Sequence, residues 1–490
     1  MRIKNKEALT SHGNMKGREV IAELLDAGLD SLDPYLGVKA LFRLEGGKII
    51  IDNRAYELDD DPRSGPAIYD LKDYDRVYVI GAAKGVQRAA LAMEEVLGDA
   101  LTGGHVIGKH GDGILCEKIG VTLAGHPVPD KYCVEGCEKI AELAKDITER
   151  DLVITISGSG CGSLMTWPAE GISLDEVTEF TYMMQIEKGA PTSDLNIVRT
   201  HIDRFKGGRI SRMFLPATLV HTTVADPAKT GTPVLRTNYR GMLEKNTFFP
   251  TLCAGSTYAQ AIAAIKKWDA WERTPESIRM HLLAGGEHNE NMRFDEYESI
   301  GARFFGLLFK DATVYPAVKK RARELGYECL MLSENMGGEA REAGYINSLM
   351  ALSVERIEQP LKAPVVLMTS GELIVTVGDE KGIGGRNQEY CSAAAINIRG
   401  SARVVFGAVD TDGTDGPGGL TIEGAPACLA GAIVDGYTYD EAAKAGYSLR
   451  EALKTHGTSE ALWPIGCGVH AEPGVSALDL GLILIMGEDL

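Results

Sequence analysis

Four short segments of this sequence carry residue types that could hold an anion or move a phosphoryl group. Lys84 closes the stretch Ile80-Gly81-Ala82-Ala83-Lys84-Gly85, directly after an apolar run. Small residues there let a ligand approach the backbone, a following helix turns its first amides toward an anion, and a lysine adds a point charge. The same residues also suit an ordinary strand–helix turn with a solvated lysine. Ser157, Gly158, Ser159, Gly160, Cys161, Gly162 and Ser163 form a second loop after an apolar run, where unhindered amides can cradle phosphate or substrate. A mobile loop is its alternative reading, and Cys161 lacks a visible His partner that would make it a nucleophile. Asn196 and Arg199, followed by Lys206 and Arg209, could clamp a carboxylate or phosphate or lie on a solvated basic stretch.

The fourth group is C-terminal. Gly384-Gly385-Arg386-Asn387-Gln388-Glu389 sets an arginine at a helix start, where it suits developing charge in phosphoryl transfer. Asp410, Asp412 and Asp415 then follow an apolar run. Their spacing is like the opening of a calcium loop, but the closing glutamate is missing. Carboxylates at a strand end suit Mg²⁺ binding or general-base work, and an Asp/Gly-rich turn is the plainer reading. Neither a Walker A loop nor Gly-x-Gly-x-x-Gly is present, which argues against a dinucleotide fold.

The elements that must position these residues follow from hydrophobic pattern. Residues 76–81 and 151–156 are continuous apolar runs, each followed by a glycine loop and a helical pattern. That succession predicts a parallel sheet covered on both faces. Residues 15–45 read as helical with a hairpin ending at Ile51, and Leu174–Met184 and Tyr258–Trp271 read as helices. A second unit is expected from about Ala363, with strands at 365–368, 373–377, 403–406 and 480–486 and a small-residue helix before Ile398. The expected division is an N-terminal α/β domain over 1–310, a connecting helix–strand–helix region over 311–362 and a C-terminal domain over 363–490.

Composition narrows the partners. The 490 residues suffice for two or three compact domains. A formal net charge of -18 repels a phosphate backbone and an anionic membrane, so neither nucleic acid nor membrane is an expected partner. Nine cysteines without a Cys-x-x-Cys pair read as reduced thiols. With no signal-peptide core at the N-terminus and no apolar run of membrane length, the expected setting is the cytoplasm.

Taken in order, Gly81-Ala-Ala-Lys84, His126-Pro-Val-Pro-Asp130, Asn196-Ile-Val-Arg199 with Lys206-Gly-Gly-Arg209, Gly384-Gly-Arg-Asn-Gln-Glu389 and Thr411-Asp-Gly-Thr-Asp-Gly416 resemble the motifs of glycerate 2-kinases of the MOFRL type. Thr274-Pro-Glu-Ser277 and Gly338-Glu-Ala-Arg341 extend the resemblance over nearly the whole chain from residue 15 onward. It implies a two-domain α/β fold: a Rossmann-like N-terminal domain with a mainly parallel sheet, and a smaller α/β MOFRL domain. It also implies a site in the cleft between them, ATP and Mg²⁺ as cofactors, and D-glycerate or a related small hydroxy acid as acceptor, with 2-phosphoglycerate as product. Lys84 and Arg386 match residues expected on the transferred phosphate. Asp412 matches an active-site aspartate that activates the hydroxyl or binds metal, with Asp415 beside it as a second Mg²⁺ candidate, and Asp226 matches a further acidic residue. The nucleotide falls to Ser157, Gly158, Ser159, Gly160, Ser163, Asn196, Arg199 and Lys206, and a homodimer is compatible with the reading.

Three segments depart from the family pattern. The serine–glycine loop at 157–163 is one residue longer, the Ser-Gly-Pro-Thr segment after Asp226 is replaced by Pro227-Ala-Lys-Thr-Gly-Thr-Pro-Val234, and Gly466–Val475 replaces a Thr-Gly-Pro-Thr pattern. These changes leave open a non-kinase member that binds a sugar acid or nucleotide. A hydroxypyruvate reductase is a remoter alternative, opposed by the missing dinucleotide fingerprint.

Overall fold

The computed structural model describes residues 2–225, 238–286, 290–475 and 478–488. The chain divides into two compact units, a continuous one of Asp33–Phe309 and a split one of Met1–Leu32 with Lys310–Leu490.

The continuous unit opens with an antiparallel sheet of β1 (Phe42–Glu45), β2 (Lys48–Ile51) and β3 (Ala67–Asp70). Its main sheet holds β4 (Arg76–Ala82), β5 (Gly103–Lys109), β6 (Gly120–Ala124), β7 (Asp151–Gly158), β8 (Thr218–Val224) and β9 (Arg303–Gly306). The order is β6-β5-β4-β7-β8-β9, with every pairing parallel. Every residue of β7 is buried, as are all but the first of β4. Continuous apolar runs of this kind are what a sheet covered on both faces requires. From β4 the chain builds outward through β5 and β6, then returns to the other side of β4 for β7, β8 and β9. The order in which strands are added therefore reverses between β4 and β7, and the carboxyl ends of the two strands at such a switch point leave a crevice where ligands bind.

The split unit holds β10 (Glu328–Met336), β11 (Val365–Gly371), β12 (Val404–Asp410), β13 (Gly431–Asp435), β14 (Gly468–Val469) and β15 (Asp479–Ile485). Its order is β10-β11-β15-β12-β13-β14. Only β10 and β11 run parallel, and the last strand, β15, enters the middle of the sheet. The expected strand at 373–377 is absent, because β11 ends at Gly371 (φ +135°), where an added Cβ would lie 2.2 Å from the Met336 carbonyl oxygen. Beyond it a single bridge joins Ile374 to Glu339.

The compact units also differ from the division expected from sequence. The helix Met15–Asp30 belongs with the C-terminal sheet, and so do the helices Val314–Glu324 and Ala340–Ile357 expected as a connector. Val20, Ile21, Leu24, Leu25 and Leu29 of the first helix are all buried. Arg18 fixes its position. The side chain is fully buried, pairs with buried Asp435 at the end of β13, and donates to the Leu9 carbonyl at 3.2 Å and the Thr438 hydroxyl at 2.9 Å. Arg18→Ala would leave Asp435 as an uncompensated buried charge. The expected cost is about 3–5 kcal/mol in equilibrium urea unfolding, and a loss under about 1 kcal/mol would refute this role.

Candidate functional site

The carboxyl ends of β4 and β7 lie side by side, with Ala82 opposite Ser157 in parallel register. The chain leaving β4 is tied to the loop leaving β7 by the Lys84 amide, which donates to the Ser159 carbonyl at 2.7 Å. Gly160 turns that loop with φ +86°, and a methyl added there would come within 3.1 Å of both the His126 ring and the Lys84 side chain. Lys84 and His126 therefore flank Gly160 directly. A methyl on Gly162 would sit 3.3 Å from Asn196 Oδ1 and 3.7 Å from Arg199 Nη1, which places the helix Thr192–Arg199 against the same loop.

The electrostatics here are unbalanced. Arg199 is 6% exposed, its Nη1 reaches Asn196 Oδ1 at a long 3.4 Å, and its buried Nη2 has no partner among the described residues. Burial lowers its pKa to about 10, against the opposing pull of Asp203. The Ser157 hydroxyl is likewise buried without a partner. Lys84 makes no side-chain ion pair or hydrogen bond among the described residues. Burial, then Lys84, Lys109 and Arg199, lower the His126 pKa to about 4, so its imidazole is neutral at pH 7. Buried polar groups are normally satisfied, and a buried lone charge is costly. An anion bound here would supply what Arg199, Ser157 and Lys84 lack.

Other expected members of this site have different work. Ser163 donates to the Gly125 carbonyl at 3.1 Å, tying the loop to the end of β6. Gly158 ends β7 against β8, where an added methyl would meet Val224 at 2.4 Å. Ser159 contributes its carbonyl to Lys84. Lys206 does not face a ligand. Its three N–H groups go to Met165 O, Thr166 Oγ1 and Asp203 Oδ2 at 2.8, 3.2 and 2.6 Å, so it braces the chain instead. Burial pushes the Cys161 thiol up to about 11, and its Sγ contacts the Phe248 carbonyl, an unsuitable setting for a nucleophile. Asp226 lies outside the described residues.

The split unit gathers the second set. Arg386 Nε and Nη2 donate to Asp479 at 2.7 and 2.9 Å, and Nη2 donates to Asp410 at 2.7 Å. Its Nη1 faces half-exposed Glu372 only at 3.7 Å. Asp410 and Asp479 are directly opposite on antiparallel strands. Burial raises the pKa of both carboxyls, and the charge of Asp479 adds to the effect at Asp410. Arg386 is the counter-charge that lets two buried carboxylates face each other.

Asp415 is fully buried and caps the helix Arg386–Asn397. It accepts the amides of Asn387 and Gln388 at 3.1 and 3.0 Å and both of their side-chain NH₂ groups. The carboxylate fills the position at this helix start where an external anion would bind, and N–H donors surround it where a metal ligand would need an open oxygen. Asp412 is partly exposed, and its Oδ1 accepts from the Thr414 amide and hydroxyl at 2.9 and 2.7 Å. Among the described residues no group of three or more His, Cys, Asp or Glu is arranged around a metal. Mg²⁺ commonly uses one or two carboxylates together with substrate phosphates, a requirement Asp412 can meet and Asp415 cannot.

Asp479 and His126 are structural members of these clusters that residue type alone does not single out as site residues, whereas Asp410, expected among the strand-end carboxylates, is the second partner of Arg386. For Asp479 the available signal was an acidic residue opening the wholly apolar strand β15.

A family model described as a domain of unknown function (DUF4147) matches residues 20–283, and the MOFRL family model matches 365–476. The chain is 30% identical over 452 residues to a glycerate 2-kinase of Pyrococcus horikoshii, covering 92% of each chain. It is also 30% identical over 415 residues to a D-glycerate 2-kinase of Thermotoga maritima, covering 84% of this chain and 91% of that one. The crystal structure of a glycerate kinase from Thermotoga maritima superposes with a TM-score of 0.74 at 27% identity, covering 96% of this chain and 99% of that one.

The lone guanidinium gives a direct test. The folded-state pKa of Arg199 lies below its ordinary value, so its charge costs stability at neutral pH, and the cost fades as pH rises through about 10. Arg199→Met should hold or raise the melting temperature without anions and lose the stabilisation that saturating inorganic phosphate gives the wild type. A lowered melting temperature with an intact phosphate shift would show that Arg199 is structural.

Proposed function

Because this chain belongs to the glycerate 2-kinase family, we propose that it transfers a phosphoryl group from ATP to D-glycerate, giving 2-phosphoglycerate, or to a related small hydroxy acid. The observation that carries this reading is the set of donors at the carboxyl ends of β4 and β7 that have no partner among the described residues: Lys84, Arg199 Nη2 and the buried Ser157 hydroxyl.

Phosphoryl transfer asks the protein chiefly to position groups and neutralise charge, and pre-placed cations in a water-poor site supply most of that. In this reading Arg199 and Ser157 hold an anionic group of a substrate, phosphate or carboxylate, and Lys84 neutralises phosphoryl oxygens. Neutral His126 offers a hydrogen bond beside them without adding charge. Arg386 serves the transferred group through Nη1, because among the described residues only the distant Glu372 competes for that donor. Asp410 and Asp479 keep the guanidinium in one orientation. Asp412 would hold Mg²⁺, which when bound offsets phosphate charge, or would accept the acceptor hydroxyl's proton. A cytoplasmic location and a homodimeric state belong to the same reading. No helix among the described residues is long and apolar enough to cross a membrane.

The test is a coupled ADP-release assay with Mg-ATP against D-glycerate, L-glycerate and longer sugar acids. Turnover on D-glycerate is expected, and silence on every acid would overturn the reading. Lys84→Ala should lower kcat/KM by about 10²-fold or more, and near-normal turnover would remove Lys84 from the mechanism.

A further inference from the structure

A cavity of about 380 Å³ lies wholly within the split unit, in the size range of small-molecule sites, roughly 300–1,000 Å³. One wall is apolar. Leu373, Val375 and Val377 line it from a single extended segment, where alternate residues share a side. The intervening residues are pinned the other way: Ile374 exchanges backbone hydrogen bonds with Gly338 and Ala340 at 2.9 Å, and the Thr376 amide and hydroxyl both donate to Glu339. The floor is bare backbone. Gly384, Gly385 and Gly416 line it, and their packing leaves no room for side chains. Added Cβ atoms would meet Thr458 Oγ1 at 2.4 Å, the Asp415 carbonyl oxygen at 2.1 Å and the Gly384 carbonyl oxygen at 1.9 Å. Two glycine-rich segments distant in sequence, 384–389 and 411–416, thus converge on one cavity.

The polar lining is built as well. Glu389 is 1% exposed and His456 8% exposed, joined through His456 Nδ1 and Glu389 Oε1 at 2.6 Å. The other Glu389 oxygen and His456 Nε2 have no protein partner among the described residues. The same cavity carries Lys381 and Arg386. An apolar wall, a buried carboxylate–imidazole pair with two open acceptor atoms, and Lys381 and Arg386 alongside Glu380 complement a molecule with an amine-bearing apolar face and an anionic tail.

We propose that this cavity binds the nucleoside part of an adenine nucleotide, with the base against Leu373, Val375 and Val377 and its exocyclic amine donating to the open Glu389 oxygen and to His456 Nε2. This assignment rests on the kinase reading for its choice of ligand but locates the base on the split unit, where no residue was expected to bind it. Recognition by a buried, hydrogen-bonding pair favours a base carrying the matching amine, because a base without it leaves buried groups unpaired.

The experiment is calorimetric titration with ADP and adenosine, neither of which can be turned over, on the wild type, Val375→Asp and Val377→Asp. Val377 is 41% exposed, so its variant keeps the fold even if the Val375 variant does not. Both substitutions should weaken ADP and adenosine binding by about 10-fold or more, equivalent to about 1.4 kcal/mol, and leave inorganic phosphate binding unchanged. Photolabelling with 8-azidoadenosine should mark residues between 373 and 389. The inference is overturned if the wild type binds neither ligand, if Val377→Asp binds ADP as the wild type does, or if the label maps elsewhere. Loss of ADP binding in the variants of a protein that phosphorylates no hydroxy acid would sustain the site and sink the kinase reading. Normal ATP KM and turnover in both variants would do the reverse.

Discussion

The reversal of strand order between β4 and β7 is the constraint on which the candidate site depends. Two parallel strands that are neighbours in the sheet, but whose onward connections diverge, cannot cover each other's carboxyl ends. Small residues such as Ala82, Ala83, Gly160 and Gly162 border the space left. Lys84 and the 157–163 loop occupy it because each immediately follows one of those two strands. Buried Arg199 then reaches the same loop from a helix outside the sheet, with its Nη2 unpartnered among the described residues.

In the split unit the controlling feature is the entry of β15 into the middle of the sheet. That insertion sets Asp479 directly opposite Asp410. Facing like charges in a buried pair of strands would be destabilising. Arg386 resolves the conflict by donating to both, and its orientation is the by-product. The same helix start is closed by Asp415, which takes up the Asn387 and Gln388 amides.

Satisfaction of hydrogen bonds separates residues that hold the fold from residues that wait for a ligand. Lys206 and Asp415 both sit in segments whose residue types suit binding, yet each has spent its polar atoms inside the protein. Arg199 Nη2 and the Ser157 hydroxyl come from equally polar segments and have no partner among the described residues. Residue type and spacing are the same kind of signal in all four cases. The distinction lies in whether an acceptor or donor from a distant part of the chain arrives, and for Lys206 the Met165 carbonyl does.

The sequence by itself determined the α/β class, the parallel sheet, the glycine loops after β4 and β7 and the family. These follow from local pattern: apolar runs, turn residues and ordered motifs are written in adjacent positions. It also singled out Lys84 and the 157–163 loop, because they follow strands, and Arg386, because it opens a helix after two glycines. It could not assign the helix Met15–Asp30 to the C-terminal sheet, since the apolar face of a helix does not say which sheet covers it; the buried Arg18–Asp435 pair, 417 positions apart, does. It could not find Asp479 as the partner of Arg386, or the cavity between the 373–377 segment and the glycine floor. Those depend on contacts across many residues, and only the tertiary structure decides which polar groups such contacts satisfy and which they leave open.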